Sequence, residues 1–96
     1  MLADITAEGG TVLGTHVSID TSQGRIVADA VYTDASGDLI IGEAKNGPSA
    51  GYRTNQLAHG YDQGGPITGV VAGTKGGSRL PAGTAIVNAP VRTFWY

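Results

Sequence analysis

Apolar and polar positions alternate along the first half of the chain with the two-residue period of half-buried strands. In Thr11–Asp20 (TVLGTHVSID), Val17 and Ile19 alternate with His16, Ser18 and Asp20. Ser22-Gln23-Gly24 marks a turn, after which Arg25–Thr33 (RIVADAVYT) and Asp38–Lys45 (DLIIGEAK) read as two further strands. Asp34-Ala35-Ser36-Gly37 joins them, a polar connection whose glycine suits a positive φ. The three strands make a β-meander.

Beyond Asn46-Gly47-Pro48 the period changes. Ser49 follows a proline and can cap, and Tyr52, Leu57 and Tyr61 recur at helical spacing up to Asp62, which predicts a helix of about three turns. Gly51 and Gly60 each weaken it by up to ~1 kcal/mol relative to alanine. Gly64-Gly65-Pro66 then breaks the chain, Ile67–Thr74 (ITGVVAGT) reads as a buried strand, and Lys75–Arg79 (KGGSR) as a basic loop. Thr84–Asn88 and Val91–Tyr96 give one or two strands broken at Pro90, which cannot donate to a ladder. Met1–Gly10 is long enough for a strand or one helical turn. The expected order is β-β-β-α-β-β, an α+β domain with one main helix.

At 96 residues the chain is a single domain over 1–96, free-standing or the last part of a larger protein, and buries only roughly 60 to 65% of its unfolded surface. It has no cysteine, so packing or a partner must supply the stability that disulfides give other small domains. Six basic against eight acidic residues leave a formal charge of -2, whereas nucleic-acid binders usually carry a basic excess. A bound divalent cation, or local clustering of Lys45, Arg53, Lys75, Arg79 and Arg92, offsets that balance where a phosphate would sit. No stretch approaches the ~20 apolar residues of a membrane helix, and the amino terminus lacks the pattern of a signal peptide. The sixteen glycines have no fixed period and read as turns.

Candidate chemistry lies on the hairpin. With Ala35-Ser36-Gly37 as a three-residue loop, Asp34 pairs with Asp38, Thr33 with Leu39, and the antiparallel register sets Asp29 opposite Glu43. Alternation then places Val27, Asp29, Val31, Leu39, Ile41, Glu43 and Lys45 on one side. Opposed carboxylates repel, and a divalent cation bridging them, Mg2+ or Mn2+, relieves the repulsion. Lys45 points into the same site, where its charge can stabilise a phosphoryl transition state and help position the attacking water. Two acids and a lysine are a working set for phosphodiester hydrolysis.

Asp29, thirteen residues, then Glu43-Ala44-Lys45 at the end of an apolar strand resembles the D-(E)XK signature of PD-(D/E)XK, or restriction-endonuclease-like, nucleases. Residues 25–56 carry the resemblance. It implies a restriction-endonuclease-like core, a mixed sheet with flanking helices; a metal held by Asp29, Glu43 and the Ala44 carbonyl; and a supporting glutamine on the next helix, a place Gln56 takes. Compact, glycine-rich versions are similar to the carboxy-terminal toxin domains of bacterial polymorphic toxins, of the contact-dependent inhibition and type VI effector kinds. That implies a nucleic-acid substrate, DNA favoured over RNA, delivery into the cytoplasm of a target bacterium, and a cognate immunity protein. The family's preceding helix, often the source of another acid, is here reduced to a stub around Glu8.

Other signals remain open. Lys75, Arg79 and Arg53 are candidate phosphate contacts; Asp20 is a turn residue or a further ligand. His16 or His59 would serve as general base in a metal-independent RNase. The Thr93-Phe94-Trp95-Tyr96 cluster stacks on bases or closes the core. A non-enzymatic β-rich binding module, with Asp29, Glu43 and Lys45 as a surface network, is the remaining alternative.

Overall fold

The computed structural model describes residues 1–47 and 49–96; Pro48, placed by the sequence before the helix, lies outside the described residues. The elements are α1 (Leu2–Ala7), β1 (Thr11–Thr21), β2 (Gly24–Thr33), β3 (Leu39–Lys45), α2 (Thr54–Ala58), a 3-10 turn at Tyr61–Gln63, β4 (Ile67–Ala72), β5 (Ala85–Ala89) and β6 (Val91–Trp95). The open amino-terminal segment is thus one short helix, and the segment around Pro90 is two strands.

The strands form one mixed sheet of order β5-β4-β1-β2-β3-β6. Only β3 and β6 run parallel, which requires the long excursion through α2, β4 and β5 between them. Pro90 separates two strands that end on opposite edges of the sheet.

The β2–β3 hairpin forms as the turn chemistry dictates. The Asp34 N–H donates to the Asp38 carbonyl at 3.0 Å, Gly37 takes φ 85°, and Asp34 Oδ1 accepts from the backbone of Ser36 and Asp38. This locks a three-residue loop, so Thr33 pairs with Leu39 and Ala30 with Gly42. The Thr33–Leu39 pairing read from the sequence is the observed one.

Each sheet face carries a core. The larger gathers Val17, Ile19, Ile26, Val31, Ile41 and Tyr61, among others, and the smaller Ile5, Ala30, Tyr32 and Phe94. The alternation on β2 does not run unbroken. Ile26 and Ala28 face the larger core together with Val31, while Ala30 and Tyr32 face the smaller. The sides therefore slip by one residue at Asp29, opposite His16, whose φ of 52° is left-handed. Val27, expected on the Asp29 side, is instead 51% exposed; a strict period of two fails across such an irregularity.

The helix is much shorter than the spacing predicts. Residues from Ser49 to Arg53 are not helical, Arg53 is extended at the N-cap, and Gly60 at φ 73° ends the run. Leu57, which shares the helical spacing of Tyr52 and Tyr61, is half exposed, and Gln56 and His59 are the buried residues. With five helical residues and two glycines nearby, tertiary contacts outweigh helical periodicity.

Candidate active site

Beyond the Ala30–Gly42 pair the β2–β3 ladder stops, and a side chain takes over the hydrogen bond. Asp29 Oδ2 accepts from the Ala44 N–H at 2.9 Å. On an extended residue the N–H and C=O point the same way, so the Ala44 carbonyl is presented on the Asp29 side of β3. Neighbouring Ile41 and Lys45 bond towards β6, with the Ile41 N–H donating to Pro90 and the Tyr96 N–H to the Lys45 carbonyl.

Glu43 and Lys45 follow on β3, both less than a tenth exposed. Gln56 reaches from α2 and ties them together: its Nε2 donates to Glu43 Oε1 at 2.9 Å, and its Oε1 accepts from Lys45 Nζ at 2.9 Å. Lys45 Nζ lies 3.3 Å from the same Glu43 oxygen. Gln56 Oε1 also accepts from the Arg53 N–H at 3.0 Å, so one side chain caps α2 and fixes the two charged groups. Tyr52 completes the shell. Its ring centroid is 5.5 Å from Lys45 Nζ, it packs edge-on against Tyr61 and Trp95, and its hydroxyl bonds Thr93 at 2.7 Å.

The electrostatics centre on Glu43. Burial pushes its carboxyl above the usual range, the charge of Asp29 pushes further the same way, and the hydrogen bonds from Gln56 and Lys45 oppose both. Its second oxygen, Oε2, is enclosed without a hydrogen-bond partner. An acceptor stripped of water and left unpaired costs on the order of 1–3 kcal/mol, more when charged. A divalent cation is one group that satisfies it, and the donor set fits: two carboxylates, one oxygen already oriented by the backbone, and a carbonyl alongside. Magnesium sites commonly use one or two carboxylates and fill the rest with water and substrate phosphate. Among the described residues no group of three or more histidines, cysteines or carboxylates forms.

The structure brings Asp29, Glu43, Lys45 and Gln56 together, with Ala44 between them. Arg53 borders a pocket shared with Arg25, Asn55, Gln56 and Tyr61. Lys75 and Arg79 sit on the β4–β5 loop, which packs through Gly76 against Gly14; Arg79 donates to the Val12 carbonyl at 3.3 Å. Asp20 is occupied by Arg25, at 2.7 Å. His59 is buried with both ring nitrogens engaged, Nδ1 on the Asn55 carbonyl and Nε2 on Thr21 Oγ1; His16 is exposed. Glu8, at the end of α1, pairs with Arg92. Phe94 enters the smaller core, whereas Trp95 and Tyr96 are about half exposed.

The sequence marks Tyr52 and Tyr61 by their helical spacing alone. That spacing carries no trace of the cluster they border, because Tyr61 arrives on a 3-10 turn and Tyr52 on chain with no regular structure. No family model, curated protein or solved structure matches the chain.

Proposed function

We propose that this domain is a metal-dependent nuclease of the PD-(D/E)XK type. The observation that carries the reading is Glu43: one oxygen is held by Gln56 and Lys45, and the other is enclosed and unpaired, on a buried carboxyl that the charge of Asp29 pushes further above its usual range. A lone surface ion pair, the bland alternative, is exposed and worth ~0–1 kcal/mol; a buried acid with an unpaired oxygen is costly, and function is a reason to keep it. The mixed sheet, with a glutamine-bearing helix after the E-X-K strand, is also what the resemblance leads one to expect.

Asp29, Glu43 and the Ala44 carbonyl would hold Mg2+ or Mn2+. Bound there, the ion would polarise a phosphate oxygen and lower the pKa of a water ligand. Lys45 places an ammonium beside the carboxylates, where it offsets the negative charge that builds as phosphorus gains a fifth oxygen and helps orient the incoming water. Gln56 keeps Lys45 and Glu43 in register, so neither must reorganise during the reaction. Arg53, at the bordering pocket, contacts substrate phosphates, with Lys75 and Arg79 supplying further charge along the chain of nucleotides. The substrate is nucleic acid, DNA favoured over RNA. The biological setting we propose is that of a toxin delivered into the cytoplasm of a competing bacterium, with a cognate immunity protein covering the site or an adjoining surface.

The test is direct. Purified protein is incubated with DNA and with RNA, in Mg2+ and in chelator, beside Glu43→Ala and Lys45→Ala. Metal-dependent cleavage, lost in both variants while circular dichroism shows the fold retained, is the expected result. Cleavage that persists in chelator and in both variants would discard the proposal in favour of metal-independent chemistry; no cleavage under any condition would discard the enzyme.

A further inference from the structure

Tyr61 is 2% exposed, and its hydroxyl is enclosed without a hydrogen-bond partner. It lies on the Glu43 side of the sheet, in the core that contains Val31 and Ile41, and borders the same pocket as Gln56. The turn carrying it is tightly held. Gly60 and Gly64 bracket it in left-handed conformations, the Gly60 carbonyl accepts from Gln63 and Gly65, and the Gly64 carbonyl accepts from Val91 at the start of β6. Tyr52 buttresses the ring edge-on at 6.4 Å. The phenol is pushed well above its usual range by burial, then by the negative charges of Glu43 and Asp29. Its hydroxyl bonds neither carboxylate directly.

Two enclosed, unpaired polar atoms, a donor on Tyr61 and an acceptor on Glu43, lie on the same side of the sheet, with Gln56 bordering the pocket of Tyr61 and bonding the other Glu43 oxygen. Buried polar groups are nearly always satisfied, if not by protein then by ordered water. We infer that Tyr61 is a positioning residue of this site, its hydroxyl holding a water shared with Glu43 Oε2 that serves as a ligand to the bound divalent cation. The inference rests on the metal-site reading above and adds to it a residue outside the Asp-Glu-Lys-Gln set. Groups that hold a metal's ligands commonly change its affinity by about 10- to 100-fold when removed.

The experiment is calorimetric titration of Mn2+ into wild type, Tyr61→Phe, Tyr32→Phe and Asp29→Asn, with the metal-free melting temperature of each. Tyr61→Phe should bind Mn2+ about 10-fold more weakly, with a metal-free melting temperature unchanged or raised, because an unpaired buried hydroxyl has been removed. Tyr32→Phe, which removes an equally enclosed and unpaired hydroxyl from the smaller core on the opposite face of the sheet, should keep wild-type affinity. Wild-type Mn2+ affinity in Tyr61→Phe overturns the inference and leaves the metal site standing, and a lowered melting temperature beside that unchanged affinity marks a purely structural hydroxyl. If wild type and Asp29→Asn alike fail to bind Mn2+, the metal site falls and this inference with it.

Discussion

Two of the molecule's carboxylate-cation pairs stand in opposite circumstances. Glu8 and Arg92 meet at the surface through two hydrogen bonds, with Arg92 also lying 4.2 Å over the Phe94 ring. Glu43 and Lys45 meet in the interior, through one shared carboxylate oxygen and a bridging glutamine. The Arg92 hydrogen bond holds Glu8 below the usual carboxylate range, whereas burial and Asp29 lift Glu43 above it. A cation nearby does not decide the sign of the shift. Solvent access and a second acid do, because the interior removes water from a charge more effectively than one imperfectly aligned ammonium replaces it. The surface pair is part of the fold's exterior; the interior pair is held in a state that a further positive charge would relieve.

Breaking the interior cluster at its second acid should have the largest effect. Asp29→Asn keeps an acceptor for the Ala44 N–H but removes half the metal-binding charge. Metal stabilisation of a phosphoryl transition state is worth several kcal/mol, so cleavage in Mg2+ should fall by at least about 1,000-fold, measured as the initial rate on labelled DNA. Retained activity would place the metal elsewhere.

Gln56→Ala comes next. It strips a hydrogen bond from Glu43, from Lys45 and from the Arg53 N–H, and leaving buried groups unpaired should cost about 1–3 kcal/mol in denaturant unfolding. A loss no larger than that of an ordinary exposed helix residue would show that the network contributes little to stability.

The smallest effect sharpens the contrast itself. A carboxyl whose folded pKa is raised contributes stability below its unfolded pKa and loses it as pH climbs through the folded value; a lowered one does the reverse. Wild type should therefore lose stability relative to Glu43→Gln as pH rises above the ordinary glutamate range, so this variant melts higher at neutral pH and matches wild type in acid. Glu8→Gln should melt slightly lower at neutral pH, and the gap should close as pH falls and as salt rises. Opposite slopes in paired melting curves from pH 4 to 8 are expected; parallel ones would mean that both carboxyls sense the same environment.

Much of the framework was legible beforehand, because it rests on local chemistry. The Asp34–Gly37 turn needs an aspartate to cap and a glycine with positive φ, both explicit in the residues, and once the loop length is set the register follows arithmetically. That register holds as far as Ala30 and Gly42, one residue short of Asp29 and Glu43. The helix is shorter than its pattern implies for the same reason in reverse: Tyr52, Leu57 and Tyr61 have the right spacing, but residues 49–53 and Gly60 do not stay helical, and spacing carries no information about which glycine ends a segment.

The amino acids by themselves determined a hairpin, its pairing, and the presence of two acids and a lysine along its arms, since turn geometry and strand alternation act over a few residues. Only the tertiary structure decided what those groups became. The slip at Asp29 that turns Val27 outward, the reach of Gln56 from a shortened helix, the aromatic wall of Tyr52 and Tyr61, and the enclosure of Glu43 Oε2 all depend on segments far apart in the chain. Burial is a property of the assembled sheet and its coverings, and burial sets the charge state on which the proposed chemistry turns.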